Sequence, residues 1–291
     1  MIIQNRTNEA ISEFVNAILE KNFKKVEKSP IIKAIDSILV GDSFSLDSTL
    51  GVGTTLYRAR EIDVDKAYSD NNCGINAWFD ENNKFHCTGY DYYDSKEPPL
   101  LVSPQGRNNI AGVSYLYLSG EPYTACAEIK PCIRGLISLA VFKVEKELKI
   151  LNLYDKVNSC NDYLFMIENE VKLSYVFNYI FGLYPSIRNK KDSYFITQYL
   201  SDYIRKAGYD GIKYWGSMNY GTNYTIFNSH RSKLTFVESK IVATAGIEYK
   251  FYDIEKKEKL QVSGKLPSID FDRIQKEISE DIKRKRSVLE N

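Results

Sequence analysis

Between Gly106 and Glu128 the chain carries an arginine, a tyrosine and a carboxylate at near-equal steps: Arg107, Tyr117 and Glu128. Arginine suits a phosphate, because its planar guanidinium donates paired hydrogen bonds and stays charged. A carboxylate beside a sugar ring stabilises a developing cation or holds a hydroxyl, and an aromatic face favours a cationic ring. Singly, each residue has an ordinary reading. Tyr117 lies in the apolar run Tyr115-Leu116-Tyr117-Leu118, where a tyrosine is most often core. Arg107 in an Asn-rich loop reads as a surface charge, and Glu128 can face solvent or pair with Lys130.

Other chemistries have less to work with. Only two histidines are present, His86 and His230, so a multi-histidine metal site or a His-dependent hydrolase would need one of them in a suitable context. His86-Cys87 with Cys73 supplies three zinc-ligand types at a spacing that fits no zinc module, and no metal is expected. Gly51-Val52-Gly53-Thr54-Thr55-Leu56 begins like a dinucleotide fingerprint, but Leu56 replaces the third glycine; it reads as a turn into a strand. With 39 Lys+Arg against 38 Asp+Glu the chain is neutral, which argues against nucleic acid or an anionic membrane as partner. No apolar run is long enough to span a bilayer, and Met1-Ile2-Ile3-Gln4-Asn5-Arg6 lacks a signal-peptide pattern. Five irregularly spaced cysteines read as reduced thiols, so a cytoplasmic protein is expected.

The positioning elements follow from periodicity. Residues 8–23 place Ile11, Phe14, Val15, Ile18, Leu19 and Phe23 on one helical stripe, and Pro30 opens a second helix carrying Ile31, Ile32, Ile35, Ile38 and Leu39. A Ser/Asp/Gly/Thr-rich stretch at 41–55 precedes strand-like Leu56-Tyr57-Arg58-Ala59-Arg60, and 61–109 reads as long loops. Strands are expected at 112–119, 136–144, 149–153, 211–214 and 224–227, with helices at 122–129, 163–183 and 193–207, the last closed by Gly208. From about 236 a Lys/Glu-rich tail carries a possible strand at 247–251. After Pro267 it carries a helix with Phe271, Ile274, Ile278 and Ile282 on one side, its basic end Lys283-Arg284-Lys285-Arg286 solvated. The fold class is therefore α+β, with short-stranded mixed sheets and interspersed helices. Three units are expected: a helical N-terminal extension (1–50), a catalytic domain (56–235) and a C-terminal strand/helix extension (236–291).

The segment Gly106-Arg107-Asn108-Asn109-Ile110-Ala111-Gly112-Val113-Ser114-Tyr115-Leu116-Tyr117-Leu118-Ser119, followed by Thr124-Ala125-Cys126-Ala127-Glu128, resembles the RES domain family. So do Leu56-Tyr57-Arg58 upstream and Gly208-Tyr209-Asp210-Gly211-Ile212 with Ser217 and Asn223-Tyr224-Thr225-Ile226-Phe227 downstream. The helical flank points to the longer subgroup. The resemblance implies an ADP-ribosyltransferase-like fold and a toxin that cleaves NAD as its substrate, with no cofactor and with an antitoxin or regulatory partner. It places catalysis on Arg107, Tyr117 and Glu128, and substrate contacts on Arg58, Asn109 and Ser217. NAD carries a pyrophosphate for arginine to hold and a cationic nicotinamide that leaves neutral, so neither imidazole nor metal is required. NAD hydrolysis is the leading expectation. ADP-ribosyl transfer to a protein or small molecule shares the chemistry, and a non-catalytic NAD-binding or protein-interaction module is a third reading.

Overall fold

The N-terminal stripe forms a helix, but not over the expected span. Helix α1 runs Ile2–Leu19, Lys21 turns the chain at φ 56°, and Asn22 caps a separate short helix α2, Phe23–Glu27, by accepting from the Lys25 N–H at 3.2 Å. Phe23 therefore leaves the stripe and stacks on Tyr199 with ring centroids 6.1 Å apart. Helix α3, Pro30–Val40, starts on its proline as expected, and Ser29 Oγ accepts from the Ile31 N–H. The computed structural model describes residues 2–40, 47–63, 75–99, 101–154, 166–167, 171–172, 176–177, 180–181, 194–216, 218, 221–227, 233–247, 252–253, 258–259 and 270–289.

Eight strands form one mixed sheet in the order β1-β7-β10-β11-β5-β2-β6-β12. They are β1 (Asp47–Leu50), β2 (Thr55–Glu61), β5 (Leu116–Ser119), β6 (Leu136–Val144), β7 (Leu148–Asn152), β10 (Gly211–Trp215), β11 (Thr222–Ile226) and β12 (Leu234–Ala243). All neighbours run antiparallel except β7 and β10. That parallel pair needs a crossover, and the segment between them includes helix α6, Phe195–Lys206, closed by Gly208 at φ 90°. With helix α5, Pro122–Glu128, between β5 and β6, the molecule is α+β, as its sequence pattern indicates.

Side chains alternate across this sheet, and each face buries against a different layer. On one face Tyr115, Ile212, Tyr214, Leu151 and Phe227 share a core with Ile11, Phe14, Ile18, Ile31 and Ile35 of the N-terminal helices and with Leu200 and Ile204 of α6. Further along the same face, α5 packs Ala125 against Ala59, Ile137 and Leu139. The opposite face gathers Leu56, Leu116, Leu118, Phe142, Leu148, Ile150 and Ile226.

Several stretches depart from the sequence reading. Within 61–109, β3 (Ala77–Phe79) and β4 (Phe85–Cys87) form a hairpin whose turn Asp80 holds by accepting from the Asn82 and Lys84 N–H groups, and α4 (Tyr92–Ser95) follows. Within 163–183, β8 (Met166–Ile167) pairs with β9 (Val171–Lys172) where a helix is expected, and β9 packs against α1, while the described residues 176–177 and 180–181 are helical as expected. Strand β12 runs through the expected boundary at 235/236 and lies along β6, its alternation broken by a bulge at Val237. Residues 248–251 of the expected strand at 247–251 lie outside the described residues, while β13 (Tyr252–Asp253) pairs with β14 (Glu258–Lys259). The last helix, α7 (Phe271–Leu289), buries Ile278 and Ile282 beside Ile62, Ile75 and Phe85, with Lys283 and Arg284 exposed.

Because Phe14 is 1% exposed in a core shared with the sheet, its truncation should weaken the whole molecule. Phe14→Ala is expected to cost about 3–5 kcal/mol in urea unfolding, in one transition. A separate early transition of the N-terminal helices, with the sheet unaffected, would contradict a shared core.

Candidate active site

The floor of the site is a row of polar side chains on the helix-covered face of the sheet. Ser119 and Tyr117 of β5 stand opposite Asn223 and Thr225 of β11, and Tyr214 of β10 stands opposite Asn223. Ser119 Oγ donates to Asn223 Oδ1 at 2.6 Å, and Thr225 Oγ1 donates to the Tyr214 hydroxyl at 3.3 Å. Such groups are costly to bury unless bonded.

Above this floor the loop at 104–113 is held by side chains rather than by a ladder. The Tyr117 hydroxyl donates to Asn109 Oδ1 at 2.6 Å and accepts from the Asn108 N–H at 2.9 Å. Asn108 Nδ2 donates to Thr225 Oγ1 at 2.7 Å, and Asn109 Nδ2 donates to the carbonyls of Pro104, Ile110 and Val113. Gly106 N–H donates to the Asn109 carbonyl at 2.9 Å, closing a turn with Arg107 inside it. A side chain at 106 is excluded, since a Cβ there would lie 2.3 Å from Asn109 Oδ1 and 2.7 Å from the Tyr117 hydroxyl. From α6, Thr197 Oγ1 donates to the Arg107 carbonyl, and Gln198 Nε2 donates to the carbonyls of Gly106 at 2.7 Å and Asn109 at 3.0 Å. Arg107 Nη1 donates to the Phe181 carbonyl at 3.3 Å.

Glu128 comes from the last turn of α5. Gly221 lies so close to this helix that a Cβ would sit 2.0 Å from Thr124 Oγ1, and Glu128 Oε1 accepts from the Met218 N–H at 3.4 Å. The charges of Arg107 and Glu128 both act on Tyr214. Burial raises the pKa of this phenol, and beyond burial the Arg107 charge lowers it while the Glu128 charge raises it, so one buried group lies within the field of both.

Two expected site residues are engaged in the loop itself. Tyr117, expected among the catalytic residues, has its hydroxyl committed to the Arg107 loop. Burial, with a smaller contribution from Tyr214, raises its pKa far above the ordinary value, so it stays protonated through the neutral range. Asn109, assigned to substrate, spends its amide on the same loop. Arg58 is not brought to the site. Tyr57 is the register partner of Ser119, so Tyr57 shares the site face and Arg58 points to the other. There Arg58 Nη1 donates to the carbonyls of Ser95, at 2.7 Å, and Lys96; burial, followed by the Arg60 charge, lowers its pKa to about 10. That same face carries a surface depression of about 340 Å³ lined by Tyr92, Leu234, Thr235 and Phe236, away from Arg107. Ser217, His230 and Cys73 lie outside the described residues. His86 bonds Asp80 at 3.0 Å and stacks on Trp78, and among the described residues no group of three His, Cys, Asp or Glu side chains is placed to hold a metal ion. No helix among the described residues is long and apolar enough to cross a membrane.

Thr197, Gln198, Tyr214 and Thr225 were not singled out from sequence. Tyr57 and Tyr214 were accessible through strand alternation, because both share a face with Tyr117 once the register is known.

The α+β scaffold thus fixes an arginine turn and places a carboxylate beside a buried polar floor. The model of the RES domain matches residues 97–250, more than half of the chain, and the chain belongs to the RES domain family. A solved structure with some likeness is that of the M. tuberculosis MbcT-MbcA toxin-antitoxin complex, at 13% identity and a TM-score of 0.37, covering 74% of this chain and 93% of that one. At that score the family assignment rests on the sequence match alone. No curated protein matches the chain.

Tyr117→Phe leaves the Asn108 N–H and Asn109 Oδ1 without their shared partner, and a loss of about 1–3 kcal/mol of stability is expected by urea titration. An unchanged midpoint would show that the hydroxyl does not hold the loop. A pH dependence follows from the phenols. Burial, the largest cause in each case, raises the pKa values of Tyr115, Tyr117, Tyr199, Tyr203, Tyr209 and Tyr214. Folded values above the unfolded value of about 10 mean that the unfolded chain releases its protons first. Stability from these groups is therefore full below pH 10 and lost as pH rises through their folded pKa values. Unfolding midpoints should fall above about pH 10 with tyrosinate absorbance appearing together with unfolding. Full ionisation of all tyrosines in a still-folded protein would refute this.

Proposed function

We propose that the protein is an NAD glycohydrolase, which breaks the bond between nicotinamide and ribose to give nicotinamide and ADP-ribose. The observation that carries this reading is the hydrogen-bonded turn that holds Arg107 over a buried polar floor, with Glu128 on helix α5 packed beside that floor. Membership of the RES domain family and the match of Arg107, Tyr117 and Glu128 to its pattern support it.

In this reading Arg107 takes the pyrophosphate through its planar fork of donors. Glu128 faces the ribose, where it holds the 2′-hydroxyl and stabilises the oxocarbenium ion that forms as the bond breaks. The bonding pair leaves with the nicotinamide nitrogen, which turns the pyridinium into neutral nicotinamide, so no proton has to be delivered. Water adds to the anomeric carbon and gives its proton to solvent. Tyr117 acts indirectly, by keeping the Arg107 turn against the floor. Ser217 contributes a positioning hydrogen bond. The protein acts in the cytoplasm as a toxin that depletes NAD, with a protein partner that restrains it.

Glu128→Gln is expected to lower the turnover of NAD by roughly 10²–10³-fold, the scale of losing one transition-state electrostatic contact, with the thermal midpoint little changed. Products from NAD and a cell lysate decide the reaction: free ADP-ribose is expected, and ADP-ribosylated material with little free ADP-ribose would mean transfer instead. Wild-type turnover by the Glu128→Gln protein would sink the assignment. Purification from the native host should recover the restraining partner, and repeated recovery of unbound, active enzyme would count against one.

A further inference from the structure

We infer that Gln198 is a positioning residue for Arg107, and that through α6 the N-terminal helices set the affinity of the site for its nucleotide. The inference rests on the reading of Arg107 as the pyrophosphate ligand.

Helix α6 has two unlike ends of one job. Its first turn faces the Arg107 turn, where the Gln198 amide spans both limbs by donating to the Gly106 and Asn109 carbonyls, 2.7 and 3.0 Å away, and Thr197 takes the carbonyl of Arg107 itself. These bonds, with the Gly106 to Asn109 bond, fix the turn at Gly106, Arg107 and Asn109. Gln198 is 4% exposed, and its own Oε1 is buried with no hydrogen-bond partner among the described residues. An apolar residue of similar size would avoid that cost, so the amide is kept for what its nitrogen does.

The next two turns pack against the N-terminal helices. Leu200 and Ile204 are fully buried among Ile11, Phe14 and Ile18 of α1 and Ile31 and Ile35 of α3. The Tyr203 hydroxyl donates to Asp36 of α3, and Tyr199 stacks on Phe23 of α2. A twelve-residue helix packed this way moves as a rod, since close-packed interiors transmit displacement. Its first turn cannot shift relative to the N-terminal helices without disturbing those contacts, and the Arg107 turn is fastened to that first turn. The N-terminal helices are thereby part of the support of the site.

The test uses the full chain and two readouts: steady-state kinetics with NAD, and direct titration with ADP-ribose, which carries the same pyrophosphate and needs no turnover. Gln198→Ala is expected to raise KM for NAD and Kd for ADP-ribose about tenfold with kcat within twofold, because Arg107 holds substrate while Glu128 is untouched. Gln198→Glu, nearly the same shape but with an acceptor facing two carbonyls, should be at least as weak. Asp36→Asn should move both constants in the same direction by about threefold, the smaller size reflecting one altered contact. Ile278→Val, in the α7 cluster, serves as a control that lowers stability and leaves both constants unchanged. Wild-type affinity in Gln198→Glu would overturn the positioning role, and wild-type affinity in Asp36→Asn the link to the N-terminal helices. Failure of the wild-type protein to bind ADP-ribose or consume NAD would instead defeat the reading of the site itself.

Discussion

The Tyr117 hydroxyl is the constraint around which the site is arranged. It sits half-buried on the sheet's helix-covered face, where both its proton and its lone pair take partners from the protein. Asn109 Oδ1 and the Asn108 N–H supply them, which forces the loop down onto the floor and leaves no room for a side chain at 106. Once the loop is there, its carbonyls point at α6, and Thr197 and Gln198 answer them. A segment with no regular hydrogen-bond ladder is thus fixed as firmly as a strand end. An arginine in such a turn arrives preorganised, which spares the cost of ordering it when an anion binds.

Much of the scaffold was legible because local pattern and tertiary demand agree. Helix α3 opens on Pro30, α6 closes on Gly208, and β6 and β7 are apolar runs of the length that a doubly covered strand needs. Legibility failed where the two disagree. The α1–α2 break depends on Lys21 adopting a left-handed conformation, which lysine does not advertise. Strand β12 hides behind a bulge that shifts its inward residues by one, so Phe236 and Ile241 do not share a two-residue rhythm. The two-residue strands β8 and β9 are too short to leave a period at all.

The site was legible in its local part only. Gly106, Arg107, Tyr117 and Glu128 lie within one stretch, so their spacing stands in for their geometry. Gln198 and Tyr214 come from far along the chain and enter through the β7–β10 crossover and the register of β11 on β5, neither of which residue order states. Role was less legible than place. Tyr117 is a polar handle for a loop, and the strand periodicity that located it does not say whether its ring or its hydroxyl matters.

Arg58 and Arg107 show how a neutral chain creates one positive site. Both look suited to a phosphate, yet the pleat of β2 sends Arg58 through the sheet to the far face, where two carbonyls absorb its donors and burial disfavours its charge. Its role there is to tie the 95–96 segment to β2. Arg107 is anchored the other way, through its main chain: its carbonyl goes to Thr197, and the residues beside it go to Gln198, Tyr117 and Thr225. A side chain that must recognise a ligand needs a fixed root more than fixed donors, because the donors have to change partners when the ligand arrives. The division of labour between the two arginines therefore follows from which face of the sheet each occupies, and a count of charges does not contain it.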